Sequence, residues 1–344
     1  METLVPFIDS SPILHNPFAL RERMEREGFF YFKRLLPREA VLDLRRQILS
    51  LCARNGWLDA NAPLMDGIIN PVTVAQIDNF YGVGVTQAAY ADIYRMEAFH
   101  RLAQHPNILG LMERLAGEPV VAHPRNIARV MFPTKANPPT PPHQDHIHIQ
   151  GTQAVYTCWI PLGDTTESLG GLQVLGGTHT VGILPVRQAE GAGGRVVVLD
   201  GLSETWSHGD FEAGDALVFH SLTVHRSVPN QFPDRVRLSV DYRYQPVSLP
   251  IEKNSLLPHL GVVPSWDDAY AGWTDQQLQY YWKQHDFTYQ DYDTSYFKDA
   301  AEPAMSSGAM DAPKTGMAGP MMGGQMGGGM SDPMGGMSGP ASQN

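Results

Sequence analysis

Residues 235–242 read Arg-Val-Arg-Leu-Ser-Val-Asp-Tyr, a strict alternation of apolar and polar side chains. Successive side chains of a β-strand point to opposite faces. Val236, Leu238, Val240 and Tyr242 therefore share one face, while Arg235, Arg237 and Ser239 lie on the other. The surrounding sequence has the same texture. Short runs at Ala128–Phe132, Ala154–Ile160, Gly171–Leu175, Arg195–Leu199 and Ala216–His220 are divided by Gly, Pro and Asp. Counting Val236–Tyr244, roughly eight such runs follow Val120 over about 125 residues, which predicts an antiparallel jelly-roll. The expected fold is mostly β with flanking α: a double-stranded β-helix (jelly-roll, cupin-like) barrel with N-terminal and C-terminal helices.

Upstream of the strands the pattern turns helical. Arg21–Glu27 and Pro37–Arg54 carry apolar residues at helical spacing, with Val41, Leu42, Leu44, Ile48 and Leu51 in the second. Pro37 suits a helix start, and a third helix is expected over Met96–Leu115, ending at Gly117. Gly28-Phe29-Phe30-Tyr31-Phe32 between the first two predicts an aromatic strand. Downstream, the aromatic segment Trp266–Phe297 is expected as helix packed on the barrel. Residues 1–302 thus read as one domain. The last 42 residues, Pro303–Asn344, hold 9 of the 15 Met and 11 of the 33 Gly, with no aromatic residue. Such a segment cannot bury enough apolar surface to offset its ordering entropy, and it is predicted to be a disordered tail.

Composition removes several function classes. The chain has 344 residues with 36 acidic against 25 basic side chains, a formal charge of −11. That balance argues against a nucleic-acid binder, which needs a clustered positive surface. No apolar run approaches the roughly 20 residues of a membrane-spanning helix, so no membrane partner is expected. The opening Met1-Glu2-Thr3-Leu4-Val5-Pro6 lacks a basic, apolar leader, and Cys52 and Cys158 form no disulfide framework or thiolate cage. These features predict a cytoplasmic protein; nothing in the pattern marks an oligomeric state.

The chemistry-bearing stretch is Pro141-Pro142-His143-Gln144-Asp145-His146-Ile147-His148. On a strand, His143 and Asp145 would project to one side, supplying two of the three ligands of a 2-His-1-carboxylate facial triad. A third ligand is available from the segment Gly214-Asp215-Ala216-Leu217-Val218-Phe219-His220 or from the following Ser221-Leu222-Thr223-Val224-His225. His146 and His148 are expected to face away from such a metal, and Arg129 and Lys135 read as solvated charges. A buried Arg beside a hydroxyl, as on the polar face of 235–242, suits a carboxylate because the guanidinium fork bonds it bidentately.

Taken together, His143-Gln144-Asp145, Gly170-Gly171-Leu172 to Gly176-Gly177-Thr178-His179, Gly214-Asp215 to His220, His225-x-Ser227 with Asn230, and Arg235 resemble the phytanoyl-CoA dioxygenase family. Glu27-Gly28-Phe29 and Leu36-Pro37 also resemble its opening, and the likeness spans about residues 20–250. The resemblance implies an Fe(II)- and 2-oxoglutarate-dependent dioxygenase that consumes O2, hydroxylates a small-molecule substrate and releases succinate and CO2. It implies that His143, Asp145 and His225 bind the iron, with His220 preceding the distal ligand without coordinating. It implies that Arg235, helped by Ser227, pairs with the distal carboxylate of 2-oxoglutarate, and that Gln144 and Trp159 (the latter with a one-residue offset) contact the cosubstrate. The spacing from His225 to Arg235 is one residue short of the family's, so Arg237, in an Arg-x-Ser arrangement with Ser239, competes for the same role. An intact Asp145 implies hydroxylation rather than halogenation.

Two rival readings stand beside this one. A cupin-like metal enzyme that uses no 2-oxoglutarate would need neither Arg235 nor Arg237. A non-catalytic binding module would depend on residues 303–344 and not on His143. Substrate specificity is expected in Asn55–Gln87 and Pro246–Tyr270, since loops carry it.

Overall fold

The computed structural model describes residues 2–134 and 138–299, all within one unit. The N-terminal half gives β1 (Thr3–Pro6), α1 (Pro17–Glu27), β2 (Phe29–Phe32), α2 (Arg38–Arg54), α3 (Pro71–Val74), α4 (Gln87–Tyr94), α5 (Glu97–Ala103), α6 (Pro106–Ala116), β3 (Val120–Ala122) and β4 (Ile127–Met131). There follow α7 (His146–Ile149), β5 (Tyr156–Pro161), β6 (Leu172–Leu175), β7 (Val186–Gln188), β8 (Arg195–Val197), β9 (Thr205–His208), β10 (Ala216–His220), β11 (Val224–Ser227), β12 (Arg237–Pro246), β13 (Ile251–Glu252), α8 (Trp266–Tyr270) and β14 (Tyr289–Gln290). The tail expected over 303–344 lies outside the described residues.

Local chemistry sets the helix ends. The Asn16 side chain accepts from the Phe18 and Ala19 amides, Pro17 opens α1, and Gly28 closes it at φ +75°. A Cβ at Gly28 would lie 2.6 Å from the Thr223 hydroxyl oxygen, so only glycine lets this helix end approach the segment leading to His225. The single helix expected over Met96–Leu115 is two, because Pro106 lacks an amide and its ring cannot continue α5; it starts α6 instead. The segment 266–297 also departs from expectation. Its one α-helix is α8, which stops before Gly272 at φ +83°, and short 3-10 turns follow. Trp266, Tyr270 and Trp282 still pack into the main core.

The strands form two principal sheets that remain separate ladders among the described residues. One runs β1-β9-β6-β11; the other runs β2-β10-β5-β12-β3, with β4 also pairing β12. The period of two divides the interior. Phe30 and Phe32 of β2, Cys158 and Ile160 of β5, and Ala216 and Val218 of β10 face the helices, joining Leu44, Ile48 and Leu111 in the main core. The alternate residues Phe29, Tyr31, Trp159, Leu217 and Phe219 face the other way and meet Leu172 and Val174 of β6 between the sheets. This is the jelly-roll core the alternation anticipates.

β12 is the longest strand, and all ten of its residues are buried. Leu238, Val240, Tyr242 and Tyr244 face the helical core, where the two tyrosine hydroxyls donate to the Phe99 and Ala103 carbonyls at 2.7 Å each. The opposite row is Arg237, Ser239, Asp241, Arg243 and Gln245, also buried. A polar row of this kind inside a fold needs partners for every charge. Among the described residues no helix is long and apolar enough to cross a membrane.

Candidate metal centre

His143 and His225 are joined by a reciprocal backbone pair. The His143 amide donates to the His225 carbonyl at 3.0 Å, and the His225 amide returns a bond to the His143 carbonyl at 3.1 Å. Residues directly opposite in an antiparallel pair share a face, and the two imidazole centroids lie 4.1 Å apart. Each ring is then fixed by its own Nδ1. His143 Nδ1 lies 2.8 Å from the Pro141 carbonyl oxygen, and His225 Nδ1 lies 3.0 Å from that of Thr223. A carbonyl only accepts, so both Nδ1 atoms carry the proton and both Nε2 atoms present a lone pair. Burial lowers both imidazole pKa values, that of His225 to about 3, which keeps the rings neutral.

Asp145 completes the cluster by a route the alternation does not predict. The strand does not continue through it: Asp145 has helical angles (φ −64°, ψ −31°) and occupies the N-terminal cap position of α7. Its Oδ1 sits 3.7 Å from His143 Nε2 and 3.9 Å from His225 Nε2, and the three ligand atoms all lie within 4.8 Å of one another. The Thr157 hydroxyl on β5 donates to Oδ2 at 2.6 Å, and Arg243 Nη2 on β12 lies 3.5 Å from Oδ1. Burial opposes the carboxylate's charge, but Arg243, the two histidines and the Thr157 hydroxyl together hold it well below the usual carboxylate range. Two neutral imidazoles and one carboxylate, all unprotonated at the converging atoms, are a donor set that fits a divalent transition metal. No proton stands between them, and the outer atoms are held by carbonyls and a hydroxyl, as metal ligands require.

The cluster opens onto a cavity of about 730 Å³, within the range of about 300–1,000 Å³ typical of small-molecule sites. Both segments expected to carry specificity contribute to its walls: Tyr81, Gly82 and Val83 from the first, Asn254, His259 and Leu260 from the second. His148 lines it too, its ring 6.4 Å from that of His143. The expectation that His148 faces away fails because α7 replaces the strand and turns it back. His146 instead meets Tyr296. Arg129, read as solvated from the sequence, is largely buried in the cavity wall and lies 3.6 Å from Asp241; Lys135 is outside the described residues.

The remaining expected site residues are not all brought together. Arg235 is exposed, its guanidinium over the Phe232 ring, and its carbonyl accepts from Asn230. The chain there has left the sheet: Ile68 bridges Arg235, and the Val236 amide donates to Gly67. β12 begins only at Arg237, so the alternating face is realised from that residue onward. Arg237 is 2% exposed, donates through Nη1 to Ser239 Oγ at 2.8 Å, and has a buried Nε with no partner among the described residues. Burial lowers its pKa to about 10. It lines a second cavity of about 400 Å³ that shares Pro138 with the first.

Ser227 follows His225 on the same face of β11, and its hydroxyl accepts from the Thr140 amide at 2.6 Å. Gln144 does not reach the cluster. Its amide donates to the Gly182 and Leu222 carbonyls and its oxygen accepts from Leu184, which pins the 182–184 segment. Trp159 packs between the sheets against Phe211 at 4.9 Å. His220 accepts from the Leu222 amide and stays out of the cluster. The residues that sequence reasoning missed are Thr157 and Arg243. The polar half of the β12 alternation, which runs on through Asp241 and Arg243 to Gln245, is the available signal for the latter.

Comparison with known proteins identifies the family. The family model for phytanoyl-CoA dioxygenase (PhyH) matches residues 24–237. A 1-deoxypentalenic acid 11-beta-hydroxylase from Streptomyces exfoliatus is 30% identical over 271 residues, covering 75% of this chain and 91% of the relative. One of the same description from Streptomyces arenae is 28% identical over 270 residues, with the same coverage. Among solved structures, the epimerase SnoN in complex with Fe3+, alpha ketoglutarate and nogalamycin RO is 20% identical, with a TM-score of 0.48, covering 68% of this chain and 85% of that one. The match over residues 24–237, together with the hydroxylase relative, establishes that the chain belongs to the phytanoyl-CoA dioxygenase family of Fe(II)- and 2-oxoglutarate-dependent oxygenases.

Proposed function

We propose that this enzyme hydroxylates an unactivated C–H bond of a small molecule, with His143 Nε2, Asp145 Oδ1 and His225 Nε2 as its Fe(II) ligands. The observation that carries this reading is the pair of Nδ1-to-carbonyl contacts, which leaves two Nε2 lone pairs aimed with Asp145 at one point. Fe(II) and 2-oxoglutarate bound there would supply the oxidising chemistry, so that substrate, O2 and 2-oxoglutarate give hydroxylated product, succinate and CO2.

The chain's own residues do the positioning. Thr157 and Arg243 hold the Asp145 carboxylate, Pro141 and Thr223 set the imidazole tautomers, and the inter-sheet aromatic cluster closes the far side to water. Arg237, rather than Arg235, pairs with the distal carboxylate of 2-oxoglutarate. It is buried, already oriented by Ser239, and has a donor to spare, whereas Arg235 faces solvent. Ser227, beside His225 on β11, is engaged instead with the Thr140 amide.

Anaerobic addition of Fe(II) and then 2-oxoglutarate tests the reading through a visible charge-transfer band. The band needs both additions, disappears in His143→Ala, weakens strongly in Arg237→Met and persists in Arg235→Met. Iron binding without the band would instead favour a cupin-like enzyme that uses no 2-oxoglutarate. Succinate release then screens substrates, beginning with the 1-deoxypentalenic acid for which the relatives are named.

A further inference from the structure

Three guanidiniums, those of Arg125, Arg129 and Arg243, line the 730 Å³ cavity, against the two carboxylates of Asp145 and Glu252. Most of these charges are committed. Arg129 faces Asp241 and donates to the Gly82 carbonyl. Glu252 accepts from both the backbone amide and the side-chain amide of Asn254, at 2.9 Å each. Arg125 donates at 3.0 Å to the Asn254 carbonyl, a neutral partner. Arg243 approaches Asp145 at 3.5 Å and shares the buried Asp241 carboxylate with Arg129, and among the described residues its buried Nε has no hydrogen-bond partner. A metal on Asp145 would draw that carboxylate's charge to itself and leave Arg243 only the Asp241 carboxylate that it shares with Arg129. Burying a guanidinium without a counter-charge is costly unless something anionic arrives.

We propose that the substrate is a small monocarboxylic acid whose carboxylate docks between Arg125 and Arg243 while its apolar body lies along Val83, Ile127, Ile149 and Leu260. This deepens the oxygenase reading above and rests on it. A carboxylate matches the guanidinium fork, and the apolar walls reward a hydrocarbon body over a highly charged one. The imidazoles do not contribute the positive charge. His123, His148 and His259, which also line the cavity, are held neutral by burial, His123 and His148 at about 4 and His259 well below its ordinary value. The preference for an anion therefore comes from arginine and holds unchanged between about pH 6 and pH 9.

Calorimetry on the metal-loaded protein under anaerobic conditions tests this. Metal-dependent binding of 2-oxoglutarate is measured first, and its failure would sink the oxygenase reading and the inference together. With 2-oxoglutarate in place, adamantane-1-carboxylate, its neutral carboxamide and its coenzyme A thioester are titrated separately. The acid is expected to bind at least about tenfold more tightly than the amide, with the thioester no better than the amide. Arg125→Met should erase that preference while leaving the weak amide affinity within about twofold. Arg243→Met should erase it too, read on protein whose metal and 2-oxoglutarate are first shown to be saturating, because Arg243 also holds Asp145. With 2-oxoglutarate bound normally, the inference alone is overturned if the acid and amide bind equally or not at all. It is equally overturned if the thioester binds best, or if the preference survives in both variants.

Discussion

Replacing Thr157 by Val isolates the hydroxyl that holds Asp145, the carboxylate proposed to bind the metal. The Thr157 hydroxyl oxygen lies 2.6 Å from Asp145 Oδ2 in a fully buried setting. Val is nearly isosteric, but its methyl carbon cannot approach an oxygen closer than about 3.3 Å, so the carboxylate must move by roughly 0.7 Å. The variant also removes a hydrogen bond to a charged group, which is worth about 1.5–3 kcal/mol. Through the carboxylate this becomes a loss of roughly ten- to hundred-fold in metal affinity. Titrating Mn(II) or anaerobic Fe(II) by calorimetry measures it, with Thr157→Ser as the hydroxyl-retaining control, expected within about threefold of the parent. Thermal unfolding without metal should also move downward, because a buried carboxylate oxygen loses its donor, so affinities are compared at a temperature where both variants are fully folded. Unaltered metal affinity in Thr157→Val, with Oδ2 left unpaired, would refute the claim that this hydroxyl positions Asp145.

Other expectations follow from the same geometry. Asp145→Ala removes a ligand and should abolish hydroxylation, checked by product analysis; retained product would remove Asp145 from the site. Arg237→Met should weaken 2-oxoglutarate binding by about ten- to hundred-fold, while Arg235→Met changes it by less than about twofold, read from the charge-transfer titration. His100 should make the fold acid-sensitive. Its Nε2 donates to the Tyr94 carbonyl, its Nδ1 accepts from the Asn126 amide, and burial lowers its pKa to about 4. The unfolded chain binds this proton at higher pH than the folded one, so the stability contribution is complete above about pH 6.5 and is lost as pH falls toward 4. The slope is about 1.4 kcal/mol for each pH step. Denaturant midpoints should fall over that window, and His100→Gln should flatten the slope; an unchanged slope would disprove it.

Much of the fold is legible because period-two patterning is local. Ala216–His220 is legible to the residue, and the aromatic strand after Gly28 to within one position, because each alternates between two packed interiors. The proposed ligands His143, Asp145 and His225 are legible as types at a spacing, but not the geometry that unites them. His146-Ile147-His148-Ile149 alternates like a strand yet folds as one helical turn, because Asp145 begins the turn and tertiary contacts outweigh the pattern. Whether a polar strand face meets water or a cavity depends on what covers it, and alternation is silent about that. For this reason Arg129 reads as solvated in the sequence, and nothing local marks the row continuing to Arg243 as turned inward. The placement of Arg235 fails for a related reason: a strand's first residue is set by its neighbour's hydrogen bonds, and Gly67 and Ile68 take the chain before β12 starts.

The inward row of β12 carries a consequence for how this protein can change. Arg237 stands at one end of the strand and Arg243 near the other, on a ladder held by β4 and β5 along its length. A single-residue deletion between Leu238 and Tyr242 would turn Tyr242 and Tyr244 onto the polar face and Arg243 and Gln245 into the helical core. Divergence along this strand must therefore proceed by substitution in place. Arg243 stands between the Asp145 carboxylate and the cavity, and Gln245 is held by His123, so one strand ties the His143–Asp145–His225 cluster, the cavity wall and the helical core to a single register.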